Sequence, residues 1–311
     1  MRNAFINTIL QACTERDDIF VISGDAGLGV FDTFKEEHPE RFLNLGVAEQ
    51  NMISFAAGMA MTGYKVLIYN IIPFLLYRCY EQVRNDICYQ DLPIVLAGIG
   101  SGLTYSPQGM THYSIEDLSL ARTLPNLTVL SPIDPVEARL AAEYSLSAST
   151  PVYVRLAKRG EPDIHTLQRF DITQPQILAE GDIPVVLLCH GSVAEEAMLA
   201  ARLLAEEGIH PHILSVPMVQ PLDNITILQH LQGMRAVVTV EEHYSSCGFG
   251  SVLREIIMDS GLPCKLATLG IPSGFIHEVH DTAGLRRLFK IDGVSIGCRI
   301  IWTRLEGRFL N

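Results

Sequence analysis

The sequence predicts an α/β protein built from two doubly wound, mostly parallel sheets. Short runs of aliphatic and β-branched residues alternate with helical patterns along the whole chain. Continuously apolar strands of this kind are typical of parallel sheets that helices cover on both faces, and the strand–helix alternation favours a doubly wound fold. The predicted strands are Ile19–Ser23, Val66–Tyr69, Ile94–Ala97, Thr128–Leu130, Val152–Arg155, Val185–Cys189, His212–Ser215, Ala236–Val240 and Lys265–Leu269.

Two helices carry clear end signals. Asp134 is a predicted N-cap and Glu137 takes the third helical position, which predicts a helix that runs toward Leu146. Ser192 is a second predicted N-cap, and Gly208 marks the end of the helix that follows it.

The chain divides into two predicted domains. Its 311 residues are enough for two units of ordinary size. The strand–helix alternation weakens over residues 159–182, where prolines stand among polar side chains. We therefore expect a first domain over residues 1–158, a linker over 159–182 and a second domain over 183–311.

Composition narrows the class of protein. The net charge is 23 − 35 = −12, so the chain should bind neither nucleic acids nor anionic membranes. Seven scattered cysteines without paired spacing indicate reduced thiols. The most apolar stretch, Val66–Tyr77, is too short to cross a bilayer, and no signal segment opens the sequence. A cytoplasmic protein is expected.

A lone carboxylate stands where one apolar helix begins. Glu49 precedes a helix predicted over Gln50–Met61, which is apolar on every side and rich in small residues. Such a helix should be buried, and its small residues would let a partner backbone approach closely. Taken alone, a glutamate at a helix start is explained by the helix dipole.

Two further segments contain candidate ligand-binding residues. Phe74 and Tyr77 lie one helical turn apart in an aromatic helix. The loop over 98–109 is rich in Gly, Ser and Pro and leads to His112, as expected where backbone passes close to a ligand. By themselves, such aromatics are more often core residues, and a single loop histidine is more often structural.

Together these segments resemble the transketolase and 1-deoxyxylulose-5-phosphate synthase family. Residues 46–50, Gly-Val-Ala-Glu-Gln, are similar to the glutamate motif of its pyrimidine-binding domain. The stretch over 73–86 resembles the family's aromatic helix, and residues 108–118 resemble its Gly-x-Thr-His loop.

The resemblance implies a site for thiamine diphosphate. Glu49 would hydrogen-bond N1′ of the aminopyrimidine ring, which requires a buried carboxyl group that shares a proton. Phe74 would stack on that ring, and Tyr77 would form a second wall. His112 would lie near the aminopyrimidine and the substrate carbonyl as a donor or proton carrier.

The resemblance also indicates where a sugar would bind. Arg155 ends the last strand of the first domain, at the sheet edge where ligands collect, and its fork would hold a phosphate. An ion pair with the linker is the alternative. Gln108 is the second substrate-binding candidate, because Pro107-Gln108-Gly109 replaces the family's Gly-Glu-Asp-Gly turn. Because of that departure, the identity of the donor or acceptor sugar stays open.

The second half resembles the family's C-terminal domain, which builds the dimer. We therefore assign structural roles to His190, Glu242 and His243. The Gly-Asp-Gly motif that holds the diphosphate in full-length relatives does not occur in this sequence. The resemblance thus implies a partner subunit that carries the diphosphate and Mg²⁺ or Ca²⁺, in an α₂β₂ assembly with contacts between two copies of this chain.

These expectations favour one half of a transketolase, a transferase that moves a two-carbon ketol unit between sugars or sugar phosphates. A β subunit of a 2-oxo acid dehydrogenase E1 component is the nearest alternative, although the segment Thr-His-Tyr-Ser-Ile-Glu-Asp fits the transketolase pattern better. Half of a deoxyxylulose-phosphate synthase and a non-catalytic scaffolding relative remain open as well.

Overall fold

Strands and helices alternate through most of the chain. The computed structural model describes residues 1–158 and 160–306, with side chains described up to residue 301. The strands in these ranges are β1 (Ile19–Ser23), β2 (Phe42–Asn44), β3 (Lys65–Ile71), β4 (Val95–Ile99), β5 (Thr128–Leu130), β6 (Val152–Leu156), β7 (Gln176–Ala179), β8 (Val185–Cys189), β9 (His212–Ser215), β10 (Met218–Gln220), β11 (Ala236–Tyr244) and β12 (Lys265–Ile271).

The helices of the same ranges are α1 (Arg2–Glu15), α2 (Asp32–Glu37), α3 (Glu49–Met61), α4 (Tyr80–Gln82), α5 (Asp117–Arg122), α6 (Pro135–Ser147), α7 (Ala194–Glu206), α8 (Asn224–Leu231), α9 (Phe249–Ser260), α10 (Thr282–Leu288) and α11 (Gly293–Glu306). None of these described helices is long and apolar enough to span a bilayer.

The strands form two sheets, and the predicted α/β fold class is confirmed. The first sheet has the order β10–β5–β6–β4–β3–β1–β2 and is parallel except for β10. The second has the order β12–β11–β8–β9–β7 and is parallel except for β7. Because β10 follows β9 in the chain but pairs with β5, the second half of the protein completes the edge of the first sheet.

The central strands of the first sheet pack against helices on both faces. Ile22 and Ile68 belong to the buried cluster that includes residues of α3. Their neighbours Val21 and Leu67 belong to the cluster on the opposite face, with residues of α1 and α6. Successive strand residues point to opposite faces of the sheet, and both faces are covered by helices, so successive residues must all be apolar. The strands therefore appear in the sequence as continuous apolar runs.

All nine predicted strands are present, but three others were not predicted. The missed strands β2, β7 and β10 have only three or four residues each and lie at sheet edges, where a continuous apolar run is not needed. One of them changes the predicted linker. Residues 176–179 lie within the range 159–182, yet they pair with β9 and belong to the second sheet.

One of the two predicted helix caps is present. The carboxylate of Asp134 accepts a hydrogen bond from the backbone N–H of Glu137 at 2.9 Å, and α6 begins at the next residue. Ser192 does not cap α7, because its hydroxyl donates to Glu242 instead. Gly208 lies just beyond α7 with φ +66°, as predicted for a glycine that ends a helix.

Helix α3 is buried on one face only within this chain, so the burial predicted for its remaining surface, which a partner would supply, stays a prediction. Its inner face packs on the first sheet, whereas its outer face is exposed apart from a hydrogen bond that the Ser54 hydroxyl donates to the Asp86 carboxylate at 2.6 Å. Phe55 is 38% exposed and Met61 is 61% exposed. The outer face, called here the α3 face, consists of Asn51, Ser54, Phe55, Gly58 and Met61, all exposed.

Arg155, which forms a buried ion pair within the first half of the chain, also bonds to the second half. The Arg155 guanidinium donates to Asp117 at 2.7 Å, to the Ser114 carbonyl at 2.9 Å and to the Glu242 carbonyl at 2.8 Å. Burial opposes the charge on Arg155, yet the adjacent carboxylate keeps the pKa of the guanidinium above its ordinary value. These bonds fix the start of α5 against β11.

The loop before His112 is also held from the second half. The Glu242 carboxylate accepts a hydrogen bond from the backbone N–H of Leu103 at 3.3 Å and one from Arg286 at 2.6 Å. The Tyr113 hydroxyl donates to the Glu278 carbonyl at 3.1 Å. Both ends of this loop are therefore anchored to the second half of the chain.

Replacing Arg155 with methionine should destabilise the protein strongly. Asp117 would remain buried without its charged partner, with only the Tyr153 hydroxyl donating to it, and breaking a buried ion pair costs about 3–5 kcal/mol of unfolding free energy. Urea unfolding followed by circular dichroism measures the change. Arg139→Met is the matched control, because Arg139 forms a partly exposed i,i+4 pair with Glu143, worth about 0.3–0.5 kcal/mol, and a hydrogen bond to the Gln168 carbonyl, so its removal leaves no fully buried carboxylate. Equal losses in the two variants would contradict the role given to Arg155.

Candidate active site

Glu49 lies at the carboxyl edge of the first sheet. It follows β2 and a tight turn, in which Gly46 has φ +64°, and it is the first residue of α3 with only 3% of its surface exposed. The Asn44 side chain supports the turn, because its oxygen accepts hydrogen bonds from the backbone N–H groups of Asp25 at 3.0 Å and Gly46 at 2.9 Å. This sheet edge is where doubly wound folds bind ligands.

One oxygen of the Glu49 carboxylate is engaged and the other is not. Arg78 donates to Oε1 at 2.8 Å. No donor from the described residues reaches Oε2. The Arg78 side chain is 46% exposed, and its guanidinium lies over the Phe74 ring at 4.6 Å from the ring centre. Arg78 was missed from the sequence, although its i,i+4 spacing from Phe74 is a usable signal.

Phe74 and His112 extend the site away from Glu49. Their rings meet edge to face, with centres 5.3 Å apart, and Tyr105 lies on another side of the imidazole at 6.2 Å. The Thr111 hydroxyl is 3.0 Å from Nδ1 of His112. Burial lowers the pKa of His112 below its ordinary value, so the imidazole is neutral at pH 7. We call Glu49, Arg78, Phe74 and His112 the Glu49 cluster.

Tyr77 is not part of the Glu49 cluster. Its hydroxyl donates to the Glu116 carboxylate at 3.1 Å, and its ring lines a separate apolar groove that includes Phe275. The cause is local: residues 73–77 form a π-helical turn, in which hydrogen bonds run from i to i+5 and a turn is wider than in an α-helix. Arg78, rather than Tyr77, therefore lies beside Phe74.

Gln108 lies on a short 3₁₀ turn just before Gly109, whose φ is +76°. Its side chain is exposed and makes no hydrogen bond with the residues that the structure describes. It precedes His112 by one turn of the same loop, so a role in binding substrate stays a prediction.

Arg155 does not bind substrate, and that prediction is wrong. The side chain is 1% exposed, and Asp117, Ser114 and Glu242 occupy its donors. The sequence alone does not distinguish an arginine at the end of a strand that faces a ligand from one that faces a buried carboxylate. The expected alternative, an ion pair with the linker, is also not what forms.

His190, Glu242 and His243 of the second half lie inside the protein. His190 Nδ1 is 2.9 Å from the Ser131 hydroxyl, and His243 Nε2 is 3.2 Å from the Ser119 hydroxyl. Burial lowers the pKa of both histidines. Each pair joins the first half of the chain to the second, which agrees with the structural roles assigned to them.

Two family models match this arrangement of sheets and site. The transketolase pyrimidine-binding domain matches residues 1–161, and the transketolase C-terminal domain matches residues 176–292. The chain belongs to the transketolase family.

Individual relatives match nearly the whole chain. It is 32% identical to a subunit of the apulose-4-phosphate transketolase of Actinobacillus succinogenes, over 95% of this chain and 96% of that protein. It is 31% identical to a putative transketolase C-terminal section of Methanocaldococcus jannaschii, over 97% and 95%. Against 1-deoxy-D-xylulose-5-phosphate synthase 1 of Geobacter sulfurreducens, the identity is 36%, and the chain spans 46% of that enzyme.

Solved structures agree with the fold. A split-gene transketolase in an inactive β₄ tetramer superposes with a TM-score of 0.85 and 28% identity, over 96% of this chain and 95% of that one. A transketolase from Pichia stipitis superposes with a TM-score of 0.78 over 97% of this chain and 45% of that one, and at 20% identity it supports the fold alone.

The ring of Phe74 should control the titration of His112. The pKa of His112 should lie below its ordinary value in the parent protein and rise toward it in Phe74→Ala, because removal of the ring admits water to the imidazole. An NMR titration of the histidine Cε1–H signals measures both values. Tyr89→Ala, at an exposed aromatic remote in sequence from His112, is the control. An unchanged pKa in Phe74→Ala would contradict the packing described.

Proposed function

We propose that this chain is one subunit of a thiamine-diphosphate-dependent transketolase, which transfers a two-carbon ketol unit between sugars. The observation that carries the proposal is the Glu49 carboxylate, which is buried, fixed by Arg78 through Oε1 and without a partner at Oε2 in the part of the chain that the structure describes. A buried carboxylate needs further hydrogen bonding, and a ring nitrogen of the cofactor would supply it.

The residues present fit an aminopyrimidine ring. Enzymes of this family depend on thiamine diphosphate. Such a ring needs one carboxylate at its N1′ edge and one aromatic surface against its face. Glu49 offers the carboxylate and the half-buried Phe74 offers the aromatic surface, linked through the Arg78 guanidinium that touches both.

Each member of the Glu49 cluster then has a defined task. Thiamine diphosphate, when bound, supplies the carbon nucleophile and electron sink for breaking and forming the carbon–carbon bond of the ketol unit. Glu49 shares a proton with the ring nitrogen, and Arg78 holds the carboxylate in one orientation. His112, neutral at pH 7 because burial lowers its pKa, accepts or donates a proton at a substrate oxygen.

A second chain is proposed to hold the diphosphate and its Mg²⁺ or Ca²⁺. The absence of a Gly-Asp-Gly motif from the sequence supports this. So do two relatives of matching length, of which one is named as a transketolase subunit and the other as a C-terminal section. The related split-gene β₄ tetramer is described as inactive, which supports the idea that this type of chain needs a partner, in an α₂β₂ assembly.

The α3 face is the surface that this partner is proposed to cover. It begins two residues beyond Glu49, so a chain that delivers the cofactor to Glu49 would pass over it. Phe55 and Met61 expose apolar surface there, and Gly58 between them allows close approach, since nothing lies within 4 Å of a Cβ built on it. Val47, 78% exposed in the preceding turn, extends this surface.

A second candidate function is one half of a 1-deoxyxylulose-5-phosphate synthase. The identity of 36% to the Geobacter enzyme over 94% of this chain favours it. The two functions use the same cofactor but differ in the donor. With the partner present, release of CO₂ from pyruvate supports the synthase, whereas transfer from a ketose donor without CO₂ release supports the transketolase.

Glu49→Gln should abolish most of the activity of the assembled enzyme. Glutamine retains the oxygen that accepts from Arg78 but removes the acidic group, so kcat should fall about 10²–10⁴-fold. Steady-state kinetics of ketol transfer measure the change, and size-exclusion chromatography verifies assembly. Glu36→Gln, at an exposed position of α2, is the control. Full turnover in the Glu49 variant would rule out the catalytic role.

Gly58→Arg should weaken association with the partner at least tenfold and leave the isolated chain folded. The added side chain meets open space, and replacing glycine within a helix stabilises it by about 0.5–1 kcal/mol. Isothermal titration calorimetry with the partner chain measures the affinity. Gln11→Arg, exposed on α1, adds the same charge on another helix. Equal affinity for both variants would exclude the α3 face as the interface.

A further inference from the structure

A second cleft opens at the junction of the two halves, and it shares no residue with the Glu49 cluster. Its volume is about 910 Å³, larger than that of the groove beside Tyr77. Helix α5 and the residue after it form one wall, while α9, β12, the loop after β11 and one residue of α11 form the others. A volume of this size lies in the range of small-molecule sites.

The walls of this cleft are positively charged in an acidic protein. Arg122, Arg254 and Arg299 line it, against a single carboxylate from Glu255. The formal charge of the lining is therefore 3 − 1 = +2, whereas that of the whole chain is −12. Such a concentration of arginine favours an anionic occupant.

Arg122 has unused donors. It is half-buried, and burial lowers its pKa, an effect that the nearby charges of Glu255 and Glu241 partly offset. It nevertheless makes no hydrogen bond and no ion pair with the residues described. The more deeply buried Arg155 and Arg286 both bind carboxylates. A half-buried guanidinium without hydrogen bonds to the protein keeps donors available for a ligand, and an anion in the cleft would engage them.

Hydroxyl groups complete the lining. Ser119 and Thr123 come from the first half of the chain, and Ser245, Ser251 and Thr268 come from the second. Thr268 Oγ1 is buried and has no hydrogen-bond partner in the described structure. Arginine forks bind phosphate oxygens in pairs, and hydroxyls both donate and accept, so they suit the remaining polar groups of a ligand.

We propose that this cleft binds a small phosphorylated metabolite that carries hydroxyl groups, with Arg122 and Arg254 as the phosphate ligands. The volume exceeds what a phosphate ion alone requires, and the hydroxyl-rich walls match the organic part. This inference does not depend on the proposed transketolase activity, because it concerns a separate site and is tested by binding.

Calorimetric titration of the full chain tests the site, with inorganic phosphate and glycerol 3-phosphate as probes at ionic strength matched with NaCl. The parent should bind glycerol 3-phosphate saturably and more tightly than phosphate. Arg122→Gln should weaken binding at least tenfold, and Arg254→Gln should weaken it several-fold. Arg254 is exposed on α9, so its replacement should leave the protein folded. The Arg254→Gln variant therefore tests binding at the cleft if Arg122→Gln does not fold.

Two controls separate this cleft from other binding. Arg169→Gln removes an exposed arginine paired with Glu143, and His112→Gln alters the Glu49 cluster; neither should change the affinity. The proposal is overturned if the parent shows no saturable binding, if both probes bind equally, or if the Arg122 and Arg254 variants bind like the parent. Loss of binding in His112→Gln would indicate that the ligand binds at the Glu49 cluster. That result would also overturn the proposal.

Discussion

The site depends on a carboxylate that is buried with only half of its hydrogen-bonding capacity used. Glu49 is withdrawn from water at the start of α3, and Arg78 engages one of its oxygens. The open oxygen and the adjacent Phe74 ring define the size and chemistry of what binds there. The exposed outer surface of α3 begins beside the same residue, so the proposed partner would complete the carboxylate and cover the helix together.

The second half of the chain acts on the site without entering it. Arg155 and Glu242 fix α5 and the loop before His112 through buried hydrogen bonds. Because His112 lies between two anchored segments, its imidazole keeps a defined position against Phe74. In this fold, the hydrogen bonds of Arg155 and Glu242 that join the two halves therefore also position His112, the proposed proton carrier.

Local sequence patterns predicted most of the fold. The wrong predictions concern features that depend on tertiary contacts. Nine strands could be predicted from the sequence because both faces of a parallel sheet are apolar. The three short edge strands could not be predicted in this way. Glu49, Phe74 and His112 come together as the motifs indicated. Arg155 was misassigned because its carboxylate partner lies 38 residues away in sequence. Tyr77 was misplaced because no sequence signal distinguishes a π-helical turn from an α-helical one.

A structure of this chain assembled with its partner and thiamine diphosphate tests the central claim most directly. The expected result is a Glu49 carboxylate oxygen within about 3.2 Å of a nitrogen of the aminopyrimidine ring, with the diphosphate bound by the other chain. A cofactor bound beyond hydrogen-bonding reach of Glu49, or held entirely by one polypeptide, would contradict it.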